Sequence, residues 1–63
     1  MAFVCVDKDG TEWIGDSCPD RYEDFGYWFF YGNHVELPHG SIAKLIGREL
    51  TWEDEPVELK DKI

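Results

Sequence analysis

The first apolar runs of the chain predict a β-hairpin. Residues 2–7, AFVCVD, are apolar and rich in β-branched side chains, as in a strand, and residues 11–15, TEWIG, form a second run. The intervening DKDG is a turn sequence in which Gly10 can adopt positive φ. The pattern therefore predicts two antiparallel strands joined at Gly10, with a turn or a bulge at that residue.

The next segment, DSCPDRYED (16–24), follows neither the helical nor the strand period and contains Pro19. This combination predicts an acidic surface loop. Any function of the loop would depend on its charge, and its candidate contact residues are Asp20, Glu23 and Asp24.

The central run, GYWFFYGN (26–33), has five consecutive aromatic residues followed by Gly32 and Asn33. Gly-Asn suits a two-residue type II′ turn, which predicts a hairpin between residues 27–31 and HVELP (34–38). Opposite residues of such a hairpin share a face. The predicted core face carries Trp28, Phe30, Val35 and Leu37. The predicted outer face carries Tyr27, Phe29, Tyr31, His34 and Glu36, and rings with polar tips beside a carboxylate are typical of a contact surface.

After Pro38 the apolar period becomes helical. Three apolar residues in HGSIAKLIG recur at i, i+3 and i+4: Ile42, Leu45 and Ile46. This spacing predicts a short helix at about 41–46 whose apolar face packs on the core. We expect Ser41 to be its N-cap and Gly47 to end it.

Residues 48–63 return to a period of two. Leu50 and Trp52 alternate, as do Val57 and Leu59, which predicts a strand on each side of an acidic turn. Pro56 belongs at the start of a strand or on a sheet edge, because it cannot donate to a ladder. Residues 60–63 are expected to fray.

Together these elements predict one small domain, residues 1–63, of the α+β class and mainly β. We expect a four- to five-stranded antiparallel sheet, or an SH3-like partly open barrel, with one short helix. A chain this short covers only about 60% of the surface of its unfolded form. The 16% of aromatic residues supply burial that length does not.

Charge narrows the range of partners. Fourteen Asp and Glu oppose six Lys and Arg, giving a net charge of −8, and all of the acidic excess lies in residues 1–24 and 49–63. Such a surface repels phosphate, which disfavours direct binding to nucleic acid or to an anionic membrane and favours a basic partner. Net negative charge alone would also serve solubility.

Metal, cofactor and catalytic patterns are weak. Two cysteines and two histidines form a nominal zinc set (Cys5, Cys18, His34, His39), but they lack the close pairs of a zinc site. DKDGTE resembles a calcium loop without its terminal glutamate. Ser41 near His39, and the pair Glu53 and Glu55, are the nearest approach to catalytic groups, and no Gly-rich phosphate loop is present. We therefore expect no metal, no cofactor and no enzymatic activity.

The sequence also predicts a cytoplasmic protein. No apolar run approaches the roughly 20 residues that span a bilayer, and residues 1–7 lack the basic start of a signal peptide. In a reducing cytosol we expect Cys5 and Cys18 to be reduced, with one or both packed as small apolar side chains.

Residues 36–60, ELPHGSIAKLIGRELTWEDEPVELK, resemble the C-terminal stretch of small, mostly uncharacterised acidic proteins of phages and mobile elements. In those proteins a segment similar to ELPxGSIxKLIGRxLTWEDEPVEL follows a variable aromatic hairpin. The resemblance covers 25 of the 63 residues. It implies a setting, because small acidic phage proteins frequently inhibit host defence nucleases, CRISPR effectors included, by occupying basic nucleic-acid channels.

The predicted function is therefore a non-enzymatic, anti-CRISPR-like inhibitor that mimics nucleic acid and binds a basic host protein. The apolar anchors would be Tyr27, Phe29 and Tyr31, beside His34 and Glu36. The acidic contacts would be Asp20, Glu23, Asp24, Glu53, Asp54 and Glu55. The alternative is an assembly module, either a homodimer joined through the outer aromatic face or an accessory subunit.

Overall fold

The computed structural model describes residues 1–60, which form six strands and one helix. In chain order the elements are β1 (Ala2–Val6), β2 (Glu12–Gly15), β3 (Asp20–Tyr22), β4 (Tyr27–Phe29), β5 (His34–Leu37), α1 (Ser41–Ile46) and β6 (Val57–Leu59). Four strands make an antiparallel sheet in the order β5-β2-β1-β6, and β3 pairs with β4 in a separate two-stranded ribbon. The prediction of a small, mainly β domain of the α+β class is confirmed.

The first hairpin forms as predicted. β1 and β2 pair antiparallel from Phe3 opposite Gly15 to Val6 opposite Glu12. Gly10 lies in the connecting turn with φ of +93°. β1 is one of the two interior strands of the sheet, since it pairs with β2 on one side and β6 on the other.

Two apolar clusters lie on opposite faces of β1, since successive side chains of a strand alternate. On one face Val4 and Val6 pack with Ile42 of α1 and with Leu50. On the other, Cys5 packs with rings from β4 and the residues that follow it. The helix therefore covers one side of the four-stranded sheet and the ribbon covers the other.

The predicted hairpin between residues 27–31 and 34–38 is wrong. β4 pairs with β3, and β5 pairs with β2, with Val35 opposite Ile14. A type II′ turn needs positive φ at its first central residue, and Gly32 is not among the residues with positive φ. A Cβ at Gly32 would instead overlap the Asp16 carboxylate, so this glycine permits a close approach between two segments.

Two neighbouring expectations change with that pairing. The predicted loop 16–24 is wrong in part, because Asp20–Tyr22 becomes β3 once β4 is free to pair with it. Val35, expected in the core, is 59% exposed. It lies on the edge strand β5 and is not part of the core cluster, whereas Leu37 of the same strand packs against the core.

The helix forms where it was predicted, at Ser41–Ile46, and Gly47 ends it in the left-handed conformation. Its N-cap, however, is Gly40. The Ser41 hydroxyl donates to the Pro38 carbonyl at 2.6 Å, and no side chain at the N-cap accepts a helix N–H. Leu45, expected in the core, is 53% exposed because six residues give the helix little more than one buried position, Ile42.

The cap of α1 comes from the sheet. Both oxygens of the Glu12 carboxylate accept backbone N–H groups, from Gly40 at 2.7 Å and from Ile42 at 2.9 Å. Burial alone would raise the pKa of Glu12, but these bonds and the nearby His39 outweigh it and lower that pKa. A buried carboxylate thus fixes the helix to the sheet.

The strand predicted through Val57 and Leu59 is confirmed as β6, which follows Pro56 directly. The predicted strand through Leu50 and Trp52 is wrong. The two side chains enter different apolar clusters, and a turn in which the Asp54 N–H donates to the Thr51 carbonyl at 3.0 Å follows. The fraying predicted for residues 60–63 lies, apart from Lys60, outside the described residues.

Candidate interaction surface

The β3–β4 ribbon has an inner and an outer side. Its register places Asp20 opposite Phe29, Arg21 opposite Trp28 and Tyr22 opposite Tyr27. Opposite residues share a side, so Arg21 and Trp28 face the four-stranded sheet. The other two pairs face outward. This alternation is the one predicted for residues 27–31, although their pairing partner differs.

A tight turn at residues 23–26 closes the ribbon. The N–H groups of Phe25 and Gly26 both donate to the Tyr22 carbonyl, at 3.1 and 2.9 Å. Gly26 has φ of +74°, a conformation that glycine adopts at least cost. The turn leaves the Phe25 ring 71% exposed at the end of the ribbon.

Five rings form a continuous row on the outer side, which we call the aromatic strip: Tyr22, Phe25, Tyr27, Phe29 and Tyr31. Neighbouring ring centroids lie 5.8 Å apart for Phe25–Tyr27, 5.7 Å for Tyr27–Tyr22, 5.5 Å for Tyr22–Phe29 and 5.0 Å for Phe29–Tyr31. The first three pairs are stacked and the last meets edge to face. These are the arrangements that aromatic pairs favour.

The strip is exposed along its whole length. Its three inner rings are 37–39% exposed and its two end rings 69% and 71%. Stacking therefore covers the faces of the inner rings and leaves their edges open, while each end ring presents more of its surface to solvent. Contiguous exposed rings of this extent are typical of an interaction site.

One end of the strip is tied to an acid. The Tyr31 hydroxyl donates to the Asp20 carboxylate at 2.7 Å. This hydrogen bond, together with the negative charge of Asp20, raises the pKa of Tyr31. The phenol therefore stays protonated and the carboxylate stays beside the ring, which combines apolar area and negative charge at a single point.

The inner side of the ribbon is fixed by a buried carboxylate. Asp7, which is 8% exposed, accepts the Trp28 backbone N–H at 2.9 Å and the Trp13 indole N–H at 2.8 Å. The Trp28 indole N–H donates to the Val6 carbonyl, also at 2.9 Å. The two Trp28 bonds join the ribbon to the end of β1, and the Trp13 bond holds the Asp7 carboxylate in place from within the sheet, so these contacts fix the ribbon on the sheet.

Phe30 supplies the second attachment. Its ring packs directly on Gly15, where a Cβ would overlap ring atoms. The His34 ring stacks on the Phe30 ring, with centroids 5.1 Å apart and an angle of 12° between the ring planes. Glycine at position 15 thus provides the space that lets the chain pass from the ribbon to β5.

Arg21 joins the ribbon to the acidic turn that follows Trp52. Its guanidinium carbon lies 4.5 Å from the Trp28 ring centroid and 4.8 Å from that of Trp52. Its N–H groups donate to the carbonyls of Trp52 and Asp54, at 2.6 and 3.3 Å. A planar cation with several donors fits such a site, which an ammonium group would fill poorly.

The acidic residues divide into free and engaged groups. Glu23 and Glu55 lie 4.0 and 3.6 Å from the Arg21 guanidinium, and both remain largely exposed. Glu53 and Asp24 are also exposed. The Asp54 carboxylate, by contrast, accepts the Thr51 N–H and hydroxyl, at 2.9 and 3.2 Å, and so holds the turn.

The structure brings together most of the residues predicted for partner binding, but not all of them. Tyr27, Phe29 and Tyr31 lie on the strip, with Asp20, Glu23 and Asp24 on β3 and its turn. His34 and Glu36 lie on β5, in the other sheet.

Sequence analysis missed Tyr22 and Phe25, which complete the strip. The sequence did contain a signal for the β3–β4 pairing: Glu23-Asp24-Phe25-Gly26 is a turn sequence, and it lies between the segments 20–22 and 27–29. The more familiar hairpin sequence at residues 32–33 competed with it.

Cys5 is buried and Cys18 is exposed, and both are free thiols. Burial, with a contribution from the charge of Asp7, raises the pKa of the Cys5 thiol to about 12, so this thiol is a poor nucleophile. Among residues 1–60, no group of three or more His, Cys, Asp or Glu could hold a metal ion. Over the same residues, no helix is long and apolar enough to cross a bilayer.

Comparison with known proteins adds no relative: no family model, no curated protein and no solved structure matches this chain. The contact surface itself therefore carries the functional argument.

Proposed function

We propose that this protein is a non-enzymatic inhibitor that binds a basic surface of a host protein through the aromatic strip and its acidic border. The observation that carries the proposal is the unbroken row of five exposed rings on a ribbon whose inner side is fixed. At about 25 cal/mol per Å², covering the exposed parts of these rings would contribute several kcal/mol to association.

The border of the strip favours a positively charged partner. Asp20 lies within hydrogen-bonding distance of one end ring, and Glu23 and Asp24 directly precede the other. An arginine of the partner could stack on an exposed ring and pair with a neighbouring carboxylate, which uses both features of the surface. The net charge of −8 would accelerate the approach of such a partner.

The class of partner follows from charge and from the resemblance of residues 36–60 to phage and mobile-element proteins. We propose a nucleic-acid-processing defence protein of the host, such as a CRISPR effector nuclease, whose basic channel the aromatic strip and its acidic border would occupy. The interaction would take place in the host cytosol and would need no metal or cofactor.

The test is capture of host proteins by the immobilised chain, followed by affinity measurements with the purified partner. Phe29→Ser removes a central ring of the strip, and Leu45→Ser is the matched control because Leu45 is an exposed apolar residue on the opposite side of the sheet. We expect Phe29→Ser to weaken binding at least about tenfold, the effect of a hot-spot residue, and Leu45→Ser to leave it unchanged.

Charge is tested separately. Glu53→Lys with Glu55→Lys reverses two exposed carboxylates and spares Asp54, which holds the turn. We expect the double variant to bind more weakly and the affinity of the wild type to fall as salt rises. Binding that is insensitive to salt and to this reversal would contradict a basic partner, and a dimer that Phe29→Ser dissociates would favour the assembly module instead.

A further inference from the structure

We propose that β5 is a second interaction surface, through which two copies of this chain pair edge to edge. This surface is distinct from the aromatic strip, and the inference does not depend on the proposed function. β5 is an edge strand of the four-stranded sheet. At its centre Val35 is 59% exposed, although edges that avoid pairing usually carry a lysine or proline at such a position.

The backbone groups of β5 define which residues can pair. The Asp16 N–H donates to the Asn33 carbonyl at 3.0 Å, so these residues are a hydrogen-bonded pair at the end of the β2–β5 ladder. Because such pairs alternate in an antiparallel ladder, Ile14–Val35 is the next hydrogen-bonded pair. The N–H and C=O groups of His34 and Glu36 consequently point away from β2, toward the open edge.

The side chains of β5 are complementary to themselves. If two copies pair antiparallel about a two-fold axis at Val35, each Val35 lies opposite Val35 of the other copy. The same axis places His34 opposite Glu36 of the second copy, and Glu36 opposite its His34. The outward backbone groups belong to these same residues, so each His34–Glu36 pair would exchange two backbone hydrogen bonds. Val35 would form the non-hydrogen-bonded pair, whose side chains lie closest together.

A register shifted by one residue would lose this match. It would place Val35 opposite Glu36 and would put His34 opposite Leu37, so neither pair would be complementary. The self-complementary sequence His-Val-Glu thus favours the register centred on Val35, and the occupant of the edge that it fits is a second copy of the chain. The resulting dimer would carry two aromatic strips on one particle.

Sedimentation equilibrium of the full chain over a range of concentrations tests the proposal. We expect a monomer–dimer equilibrium, and we expect Val35→Lys to raise its dissociation constant at least about tenfold, because two like charges would then lie directly opposite. Phe25→Lys is the matched control: it adds the same charge at another exposed apolar residue, on the strip, and should change the constant by less than about twofold.

A charge exchange tests the register. Glu36→Lys should weaken the dimer, and addition of His34→Glu should restore it, since the double variant places a carboxylate and an ammonium group opposite each other across the axis. Thermal unfolding of each variant verifies that it folds. A monomer at every concentration, a species larger than a dimer, a dimer dissociated by Phe25→Lys but not by Val35→Lys, or failure of the double variant to recover would overturn the proposal.

Discussion

Both sides of the β3–β4 ribbon carry aromatic side chains, but the two sides are stabilised differently. On the inner side, Trp28 is 6% exposed and its N–H groups bond to Asp7 and Val6. On the outer side, Phe29 is 39% exposed and contacts chiefly the rings beside it. Adjacent aromatic residues therefore have different roles: the inner ring holds the ribbon on the sheet, and the outer rings stay exposed, as the proposed contact with a partner requires.

The largest expected effect distinguishes these neighbours directly. Trp28→Ala should lower the free energy of unfolding by about 3–5 kcal/mol, because it leaves a cavity and an unpaired carbonyl. Phe29→Ala, one residue away, should cost less than about 1 kcal/mol, since its ring is already partly in water. Urea unfolding measures both values. Equal losses would show that the strip belongs to the folding core and would contradict the distinction between the inner and outer sides of the ribbon.

The second test concerns the contact between Phe30 and Gly15. Gly15→Ala should lower the free energy of unfolding by about 1–3 kcal/mol, because the added methyl group overlaps the Phe30 ring. In a Phe30→Leu background the same substitution should cost less, since the smaller side chain leaves room. A double-mutant cycle by chemical unfolding measures this coupling, and strictly additive costs would contradict the packing described.

The third test compares the buried contacts of Arg21 with one of its exposed ion pairs. Arg21→Lys should cost about 1–2 kcal/mol, because one ammonium group cannot stack on two indole rings and also reach both carbonyls. Glu55→Gln removes an exposed ion-pair partner of the same arginine and should cost less than about 0.5 kcal/mol. Thermal unfolding measures both losses of stability. A larger loss for Glu55→Gln than for Arg21→Lys would contradict the conclusion that the stacking and carbonyl contacts of Arg21 hold the acidic turn.

The smallest effect is a pH dependence that belongs to a buried carboxylate. The folded-state pKa of Glu12 is lowered from 4.5, so the stability it supplies is present above that pH and is lost as pH falls through the folded-state value. Glu12→Gln should therefore cost about 1 kcal/mol at pH 7, where it leaves a backbone N–H without its charged acceptor, and progressively less in acid.

The matched control for this titration is Glu23→Gln, at an exposed acid on the outer side of the ribbon. Its curve of unfolding free energy against pH should follow that of the wild type within about 0.5 kcal/mol. A Glu12→Gln curve that stays parallel to the wild type below pH 4.5 would show that Glu12 does not supply the acid-sensitive stability.

The sequence predicted local features better than it predicted pairing. The hairpin over residues 2–15, the helix at 41–46 and the alternation along 27–31 are all visible in neighbouring residues, and all three form. The partner of β4 was not visible, because it depends on whether Gly26 or Gly32 makes the turn. In the structure Gly32 lies against the Asp16 carboxylate, a long-range contact that no local pattern contains. The burial of Val35 was misjudged for the same reason.

The most direct test of the account is photo-CIDNP NMR, in which an excited flavin polarises tyrosine, tryptophan and histidine side chains that it can touch. In the isolated protein we expect signals from Tyr22, Tyr27 and Tyr31 and none from Trp28. At saturation with the captured basic partner, the tyrosine signals should disappear. Tyrosines that are silent in the free protein, or that keep their full polarisation in the complex, would contradict the claim that the strip is an exposed contact surface.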